Sequence, residues 1–112
     1  MKSILLVDDD ADIRTIFEFV LPDYLVVCAC DGADALSQIQ ATKFDLIITD
    51  MRMPFMDGVE FIDKCLELGI KTPFILSSAS RNVEHPNAVS LPKPFNLDEL
   101  NSIVAKLTSE AA

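Results

Sequence analysis

Short apolar runs alternate with amphipathic segments along this chain, and this alternation limits the fold more than any other feature of the sequence. The apolar runs are typical of buried strands, and the segments between them carry apolar residues at helical spacing. The pattern predicts an α/β fold, in which helices cover both faces of a mostly parallel sheet. Five strands are predicted, the last of them weak: Ser3 to Val7, Leu25 to Cys30, Phe44 to Thr49, Pro73 to Ser78 and Ala88 to Leu91.

The predicted helices have recognisable ends. Pro22 ends the first helix, and Gly69 lies where a left-handed cap would close the third. The last helix begins at Asn96, whose side chain can cap it while Glu99 reaches back in a capping box. Residues 80 to 87 join the fourth and fifth strands and are too few for an ordinary crossover helix. We expect a fourth helix that is shortened or missing, as one helical turn or an extended loop.

Length and charge restrict the class of protein. A chain of 112 residues, half of them apolar, predicts a single domain over residues 1–112. The net charge of −9, from nine basic and eighteen acidic residues, argues against nucleic acid as a partner. No run reaches the roughly 18 apolar residues of a membrane helix, and the N-terminus does not resemble a signal peptide. We therefore expect a cytoplasmic protein without a membrane partner.

The cysteines and the histidine suggest no metal site or catalytic centre. Cys28 and Cys30 are two apart in a predicted strand, which points both to one face, and Cys65 lies on the apolar side of a helix. We expect three buried, reduced thiols. His85 precedes Pro86 in a polar segment and is interpreted as a loop residue.

Polar side chains follow four of the predicted strands at their carboxyl ends. Asp8 and Asp9 follow the first, Asp50 the third, Ser78 closes the fourth and Lys93 follows the fifth. Ligands of open α/β sheets bind at this edge. Clustered carboxylates suit Mg²⁺, and a hydroxyl and an ammonium would complete a site for a phosphoryl group. In a purely structural interpretation, Asp8 to Asp10 cap a helix and Asp50 starts a turn, and we favour the capping role for Asp10.

Three motifs carry a resemblance to a known family. The segments Leu5-Leu-Val-Asp-Asp-Asp10, Asp50-Met-Arg-Met-Pro-Phe-Met-Asp-Gly58 and Leu91-Pro-Lys-Pro-Phe95 resemble the receiver domain of two-component response regulators. The resemblance covers essentially the whole chain. It implies a flavodoxin-like fold of strand order 2-1-3-4-5 and a partner that donates phosphate from a phosphohistidine, either a histidine kinase or a histidine phosphotransfer protein.

The resemblance also assigns roles by motif position. It implies that Asp50 is the phosphoacceptor and that Asp8, Asp9, Asp50 and the backbone carbonyl of Arg52 hold Mg²⁺. Lys93 would contact the phosphoryl group, and Ser78 takes the position of the switch hydroxyl. Such a domain is a signalling receiver rather than an enzyme, although it supports its own Mg²⁺-dependent phosphorylation and a slow dephosphorylation.

The chain departs from the family pattern in the region of output. Ser90 stands where receivers usually carry the aromatic switch residue, directly ahead of Leu91, and segment 80–87 replaces the fourth helix. No segment after residue 109 would form an output domain, so a stand-alone receiver is expected unless the chain is a fragment of a longer protein. Its role as a phosphorelay shuttle, a phosphate sink or a diffusible regulator stays open, as do its downstream protein target and its state as a monomer or homodimer.

Two other hypotheses compete with phosphoacceptance. Asp8-Asp9-Asp10 also resembles the Asp-x-Asp nucleophile motif of haloacid-dehalogenase-type phosphatases, but those enzymes need a larger core domain and the motif from Asp50 to Gly58 would go unexplained. Alternatively, the chain is a degenerate receiver that acts as a phosphorylation-independent protein-binding module, which Ser90 and the short segment 80–87 suggest. The complete polar set argues against that alternative.

Overall fold

Five parallel strands form one sheet in the order β2-β1-β3-β4-β5. The computed structural model of the protein describes residues 1–80 and 83–109. The predicted flavodoxin-like α/β topology is confirmed, including the weak fifth strand, and the predicted strand ends are wrong by at most two residues. The strands are β1 (Ser3–Val7), β2 (Leu25–Ala29), β3 (Leu46–Asp50), β4 (Phe74–Ser78) and β5 (Ala88–Pro92).

Helices cover both faces of the sheet. They are α1 (Ala11–Val20), α2 (Gly32–Ala41), α3 (Gly58–Glu67) and α4 (Leu97–Ser109). Phe17 and Leu21 pack with Leu100 and Val104 on one face, which therefore carries α1 and α4, whereas α2 and α3 cover the other. Residues from β1, β3 and β4 contribute to both cores, as expected for parallel strands buried on both sides. Among the described residues no helix is long and apolar enough to cross a membrane.

The helix ends follow the capping chemistry read from the sequence. Asp10 caps α1, since its carboxylate accepts the backbone N–H of Asp12 at 2.9 Å, so the structural interpretation of this residue is confirmed. Gly69 follows α3 with φ of +81°, a conformation that costs an L side chain energy. The side-chain oxygen of Asn96 accepts the N–H of Glu99 at 3.0 Å ahead of α4. Asp10 and Asn96 thus mark the starts of α1 and α4, and Gly69 marks the end of α3.

The structure describes residues 79–80 and 83–87 of the connection from β4 to β5, and these contain no helix, which agrees with the expectation of a fourth helix that is shortened or missing. Arg81 and Asn82 lie outside the described residues. His85 does lie in this loop, but its side chain is buried: one ring nitrogen lies 2.7 Å from Asp63 Oδ1 on α3, and the other accepts the N–H of Asn87. The loop is therefore tied to the neighbouring helix.

The prediction of three buried thiols is wrong for two of them. Cys65 is buried, but Cys28 is only partly buried and Cys30 is exposed. The two thiols also lie near different helices, Cys28 Sγ 3.9 Å from Glu18 on α1 and Cys30 Sγ 3.8 Å from Asp34 on α2. The physical reason is that β2 ends at Ala29, so strand alternation does not extend to Cys30.

Candidate functional site

Three carboxylates converge at the carboxyl edge of the sheet. One oxygen each from Asp8, Asp9 and Asp50 lies within 4.8 Å of the other two. β1 and β3 are neighbours in register, with Val7 opposite Thr49, so the residues that follow them emerge side by side. Asp8 is 3% exposed and Asp50 9%, whereas Asp9 lies at the surface. The arrangement places two desolvated acids behind one solvated acid.

The electrostatics of Asp8 reflect this burial. Desolvation raises the pKa of the Asp8 carboxyl above its ordinary value of 3.8, and the charge of Asp50 raises it further. The backbone N–H of Asp10, which donates to Asp8 Oδ1 at 2.9 Å, and the charge of Lys93 oppose the rise. Burial has the largest effect on this pKa, so a charged Asp8 destabilises the metal-free cluster. A bound cation would relieve this destabilisation. Three hard oxygen donors at this spacing fit Mg²⁺.

Lys93 supplies the positive charge of the cluster. Its Nζ lies 3.2 Å from Asp50 Oδ1 and 4.0 Å from Asp8 Oδ2. The backbone holds it there, because the Lys93 N–H donates to the carbonyl of Ser78 at 2.9 Å and so extends the β4–β5 ladder past the end of β5. The Lys93–Pro94 peptide bond is cis. A quarter of the Lys93 side chain remains exposed, so the ammonium can reach a group that enters from solvent.

Ser78 and Arg52 lie beside the acids. Both line a depression of about 620 Å³ that also contacts Asp9. Ser78 is buried and its Oγ accepts the backbone N–H of Ser80 at 3.0 Å, while Arg52 is exposed in the loop after Asp50. The structure thus brings the six residues proposed for the phosphoryl site to one edge of the sheet: Asp8, Asp9, Asp50, Arg52, Ser78 and Lys93. A larger depression, of about 790 Å³, involves Phe44 and Ile70 at the opposite edge and contains none of them.

Close packing requires glycine at position 58, the last residue of the motif that begins at Asp50. A Cβ at this position would lie 2.6 Å from the backbone oxygen of Asp50 and 2.8 Å from Leu76 Cδ1, closer than packing permits. The Gly58 N–H donates to the carbonyl of Met51 at 2.9 Å, and the Asp57 side chain caps α3. Only glycine allows α3 to begin against the end of β3, and this contact fixes the loop that carries Arg52.

Two features of this edge escape sequence reasoning. Ser77 is the β4 residue in register with Asp50, and it is 2% exposed. Its only sequence signal is a second hydroxyl, directly before Ser78, at the end of a strand that is otherwise apolar. The second feature is an apolar depression of about 660 Å³ between α1 and the segment after Lys93. Phe19, 85% exposed, and Leu97, 47% exposed, lie on it, and the pattern of α1 signals Phe19 only as an apolar residue off the buried face.

Comparison with known proteins agrees with this geometry. Residues 4–105 match the response regulator receiver domain family. The chain belongs to this family, whose members in two-component systems interact with histidine kinases or phosphotransfer proteins. The family resemblance read from the three motifs is therefore confirmed, and the phosphatase hypothesis has no support.

Three similar proteins illustrate the match. The regulatory protein AtoC of Escherichia coli (strain K12) is 35% identical over 95% of this chain, which spans only 25% of AtoC. The response regulator receiver protein CpdR of Brucella abortus (strain 2308) is 34% identical over 96% of this chain and 97% of its own length. The response regulator protein TrrA of Thermotoga maritima, crystallised in complex with Mg²⁺-BeF, superposes with a TM-score of 0.87 at 32% identity, covering 96% of this chain and 99% of TrrA.

Proposed function

We propose that this receiver accepts a phosphoryl group on Asp50 from the phosphohistidine of a histidine kinase or histidine phosphotransfer protein. The observation that carries the proposal is the cluster itself: three carboxylate oxygens within 4.8 Å of one another, with Lys93 Nζ 3.2 Å from Asp50. An acidic pocket that faces one ammonium suits a dianionic phosphoryl group bound through a cation. Phosphorylation would then change the binding of a downstream protein.

The transfer moves one phosphoryl group between two nucleophiles. A carboxylate oxygen of Asp50 forms a bond to phosphorus while the bond from phosphorus to the histidine nitrogen breaks, and the imidazole leaves with that electron pair. The transition state is loose and its charge lies mostly on the three equatorial oxygens. Lys93 would exchange its contact with Asp50 for a contact with one of these oxygens, since the Asp50 carboxylate loses its negative charge as the new bond forms.

A divalent cation fits this donor set. The carboxylates of Asp8, Asp9 and Asp50 would hold Mg²⁺ together with the backbone carbonyl of Arg52. When bound, Mg²⁺ supplies positive charge against the phosphoryl oxygens. The Mg²⁺-BeF complex of the similar protein TrrA supports this assignment. Ser78, on the neighbouring strand, would donate its hydroxyl hydrogen to a phosphoryl oxygen, and hydrolysis would follow when water attacks phosphorus opposite the Asp50 oxygen.

The apolar depression beside Lys93 is the surface that we assign to the protein donor. Lys93 belongs both to the wall of this depression and to the acidic cluster, so a partner on α1 and the segment 93–97 would place its histidine at the acceptor edge. Phe19, almost fully exposed, would anchor the contact as aromatic side chains commonly do at interfaces. Small phosphodonors need no such surface.

Intact-mass measurement after incubation with acetyl phosphate and Mg²⁺ tests the proposal. The wild-type chain should gain one phosphoryl group, and EDTA should abolish the gain. Asp50→Asn should gain none, whereas Asp23→Asn, which removes an exposed carboxylate remote from the cluster, should behave as wild type. Lys93→Ala should keep a cooperative thermal transition but label more slowly. A wild-type chain that gains no phosphoryl group would favour the degenerate receiver that binds partners without phosphorylation.

Steady phosphatase turnover that is lost in Asp8→Asn but kept in Asp50→Asn would also overturn the proposal.

The single domain over residues 1–112, its stand-alone status and its cytoplasmic location remain predictions. Ser90 is exposed in the middle of β5, the edge strand of the sheet, so the output surface has no aromatic side chain at this position.

A further inference from the structure

We infer that Ser77 positions the reacting pair Asp50 and Lys93, an inference that rests on the function proposed above. Ser77 has two properties that are rarely found together. The residue is 2% exposed, and no hydrogen-bond partner for its Oγ exists among the described residues. A buried hydroxyl without a partner costs stability, and native proteins contain few of them. The position therefore calls for a compensating role.

The strand order places Ser77 between the two reacting residues. β4 lies between β3, which ends at Asp50, and β5, which leads to Lys93. Neighbouring strands are about 4.8 Å apart, so β3 and β5 are separated by about 10 Å. The 3.2 Å contact from Lys93 Nζ to Asp50 Oδ1 therefore crosses β4. The β4 residue in register with Asp50 is Ser77, which also pairs with Leu91 of β5.

Strand alternation puts Ser77 on the same face as that contact. Ile48, Ile75 and Leu91 pack in the core beneath α1 and α4. Asp50 and Ser77 each follow one of the two isoleucines by two residues and so share its face. The Ser77 side chain therefore lies on the face of the sheet that carries the Asp50 side chain, on the strand that the Lys93–Asp50 contact crosses. A hydroxyl donates one hydrogen bond and accepts others, so this one group can serve a carboxylate and an ammonium together.

The role becomes specific during phosphoryl transfer. When Asp50 becomes an acyl phosphate, one carboxylate oxygen carries phosphorus and Lys93 moves to the phosphoryl oxygens. The Ser77 O–H then donates to the remaining oxygen of Asp50, and its lone pair accepts an N–H of Lys93. This bridge orients the carboxylate and holds the ammonium over β4. Ser77 makes no bond to the phosphoryl group, so it is a positioning residue and not a catalytic one.

Ser77→Ala tests the inference because its effects on stability and on reaction should have opposite signs. Without Mg²⁺, removal of an unpaired buried hydroxyl should raise the thermal midpoint by a few degrees. The maximal rate of labelling by acetyl phosphate should fall about three- to tenfold, as the loss of one hydrogen bond in the transition state implies. The Mg²⁺ concentration for half-maximal rate should not change, and Ser77→Thr, which restores the hydroxyl, should recover the rate.

Thr108→Val is the matched control. Thr108 is also a buried hydroxyl, 3% exposed, but it donates to the carbonyl of Val104 at 2.8 Å and lies at the end of α4. This variant should lose thermal stability and keep the wild-type labelling rate. Wild-type labelling by Ser77→Ala would overturn the inference and leave the proposed function intact. A fall in rate accompanied by a lower midpoint and a weaker Mg²⁺ response would also overturn it, because that result indicates a structural role. A wild-type chain that takes no phosphoryl group overturns both proposals.

Discussion

His85 Nε2 lies 2.7 Å from Oδ1 of Asp63, so the loop that replaces a helix is joined to α3 by a side-chain contact. The histidine side chain is 6% exposed and that of Asp63 58%, which means that the ring fills a buried position while the carboxylate stays in water. The second ring nitrogen accepts the N–H of Asn87 at 3.0 Å. Nε2 therefore carries the hydrogen that Asp63 accepts, and both nitrogens are satisfied.

His85→Ala should destabilise the protein by about 2 kcal/mol, because it removes a buried ring and two hydrogen bonds, one of them to a carboxylate. Urea unfolding followed by circular dichroism measures the loss. Asp63→Asn is the matched variant: it keeps an oxygen acceptor on an exposed side chain and should cost less than about 1 kcal/mol. Equal stability of wild type and His85→Ala would show that the contact does not hold the loop.

The sequence predicts the convergence of the acids because their positions depend only on where the strands end. Parallel neighbours deliver the residues after them to one edge, so Asp8 and Asp50 follow from two apolar runs. The contact of His85 with Asp63 cannot be predicted from strand ends. It joins positions 22 residues apart, and the sequence does not predict the path of the loop that carries His85. Ser77 escapes for a related reason: its importance depends on register with Asp50, which one sequence does not give. The burial of Cys30 is wrongly predicted because β2 ends at Ala29, one residue earlier than expected, and the alternation of strand side chains stops there.

Asp8→Asn should stabilise the metal-free protein at neutral pH. Burial raises the pKa of the Asp8 carboxyl, so the folded state binds a proton more tightly than the unfolded chain. The stability that Asp8 contributes is thus fully present below pH 3.8, which is the ordinary pKa of this carboxyl. It is lost as the pH rises through the raised pKa of the folded state. Asparagine avoids this loss and can still accept the N–H of Asp10. The thermal midpoint of Asp8→Asn in EDTA should exceed that of wild type by a few degrees.

The pH dependence of the difference in thermal midpoint between Asp8→Asn and wild type tests this prediction. Thermal scans in EDTA from about pH 7.5 to about pH 4.5 should show the advantage of Asp8→Asn shrinking as the wild-type carboxyl takes up a proton. Added Mg²⁺ should raise the midpoint of wild type and not that of Asp8→Asn, since only the wild type retains all three carboxylates. A variant that melts below wild type at neutral pH would contradict the dominance of desolvation at Asp8.

Phe19→Ser should separate protein donors from small ones. Phe19 lies on the apolar depression beside Lys93 and contributes little to the core because 85% of it is exposed. Transfer from a phosphorylated histidine kinase should slow at least about fivefold at limiting donor, as the loss of an interface anchor implies. Labelling by acetyl phosphate should not change. Leu68→Ser, at a position 51% exposed after α3, is the control and should transfer normally. Equal transfer in both variants would place the donor elsewhere.

The three thiols should react with iodoacetamide in an order set by burial. Burial raises the pKa of Cys65 to about 12, so at about pH 8.5 almost none of it is the nucleophilic thiolate. Burial, followed by the charge of Glu18, also raises the pKa of Cys28, whereas Cys30 is exposed. Peptide mapping should show Cys30 alkylated first, Cys28 more slowly and Cys65 only when urea unfolds the chain. Because the folded state holds the Cys65 proton, the thiol's contribution to stability is lost only as pH rises from 9.0 toward 12. Alkylation of Cys65 in the folded protein as fast as that of Cys28 would show that the core between α3 and the sheet opens to solvent.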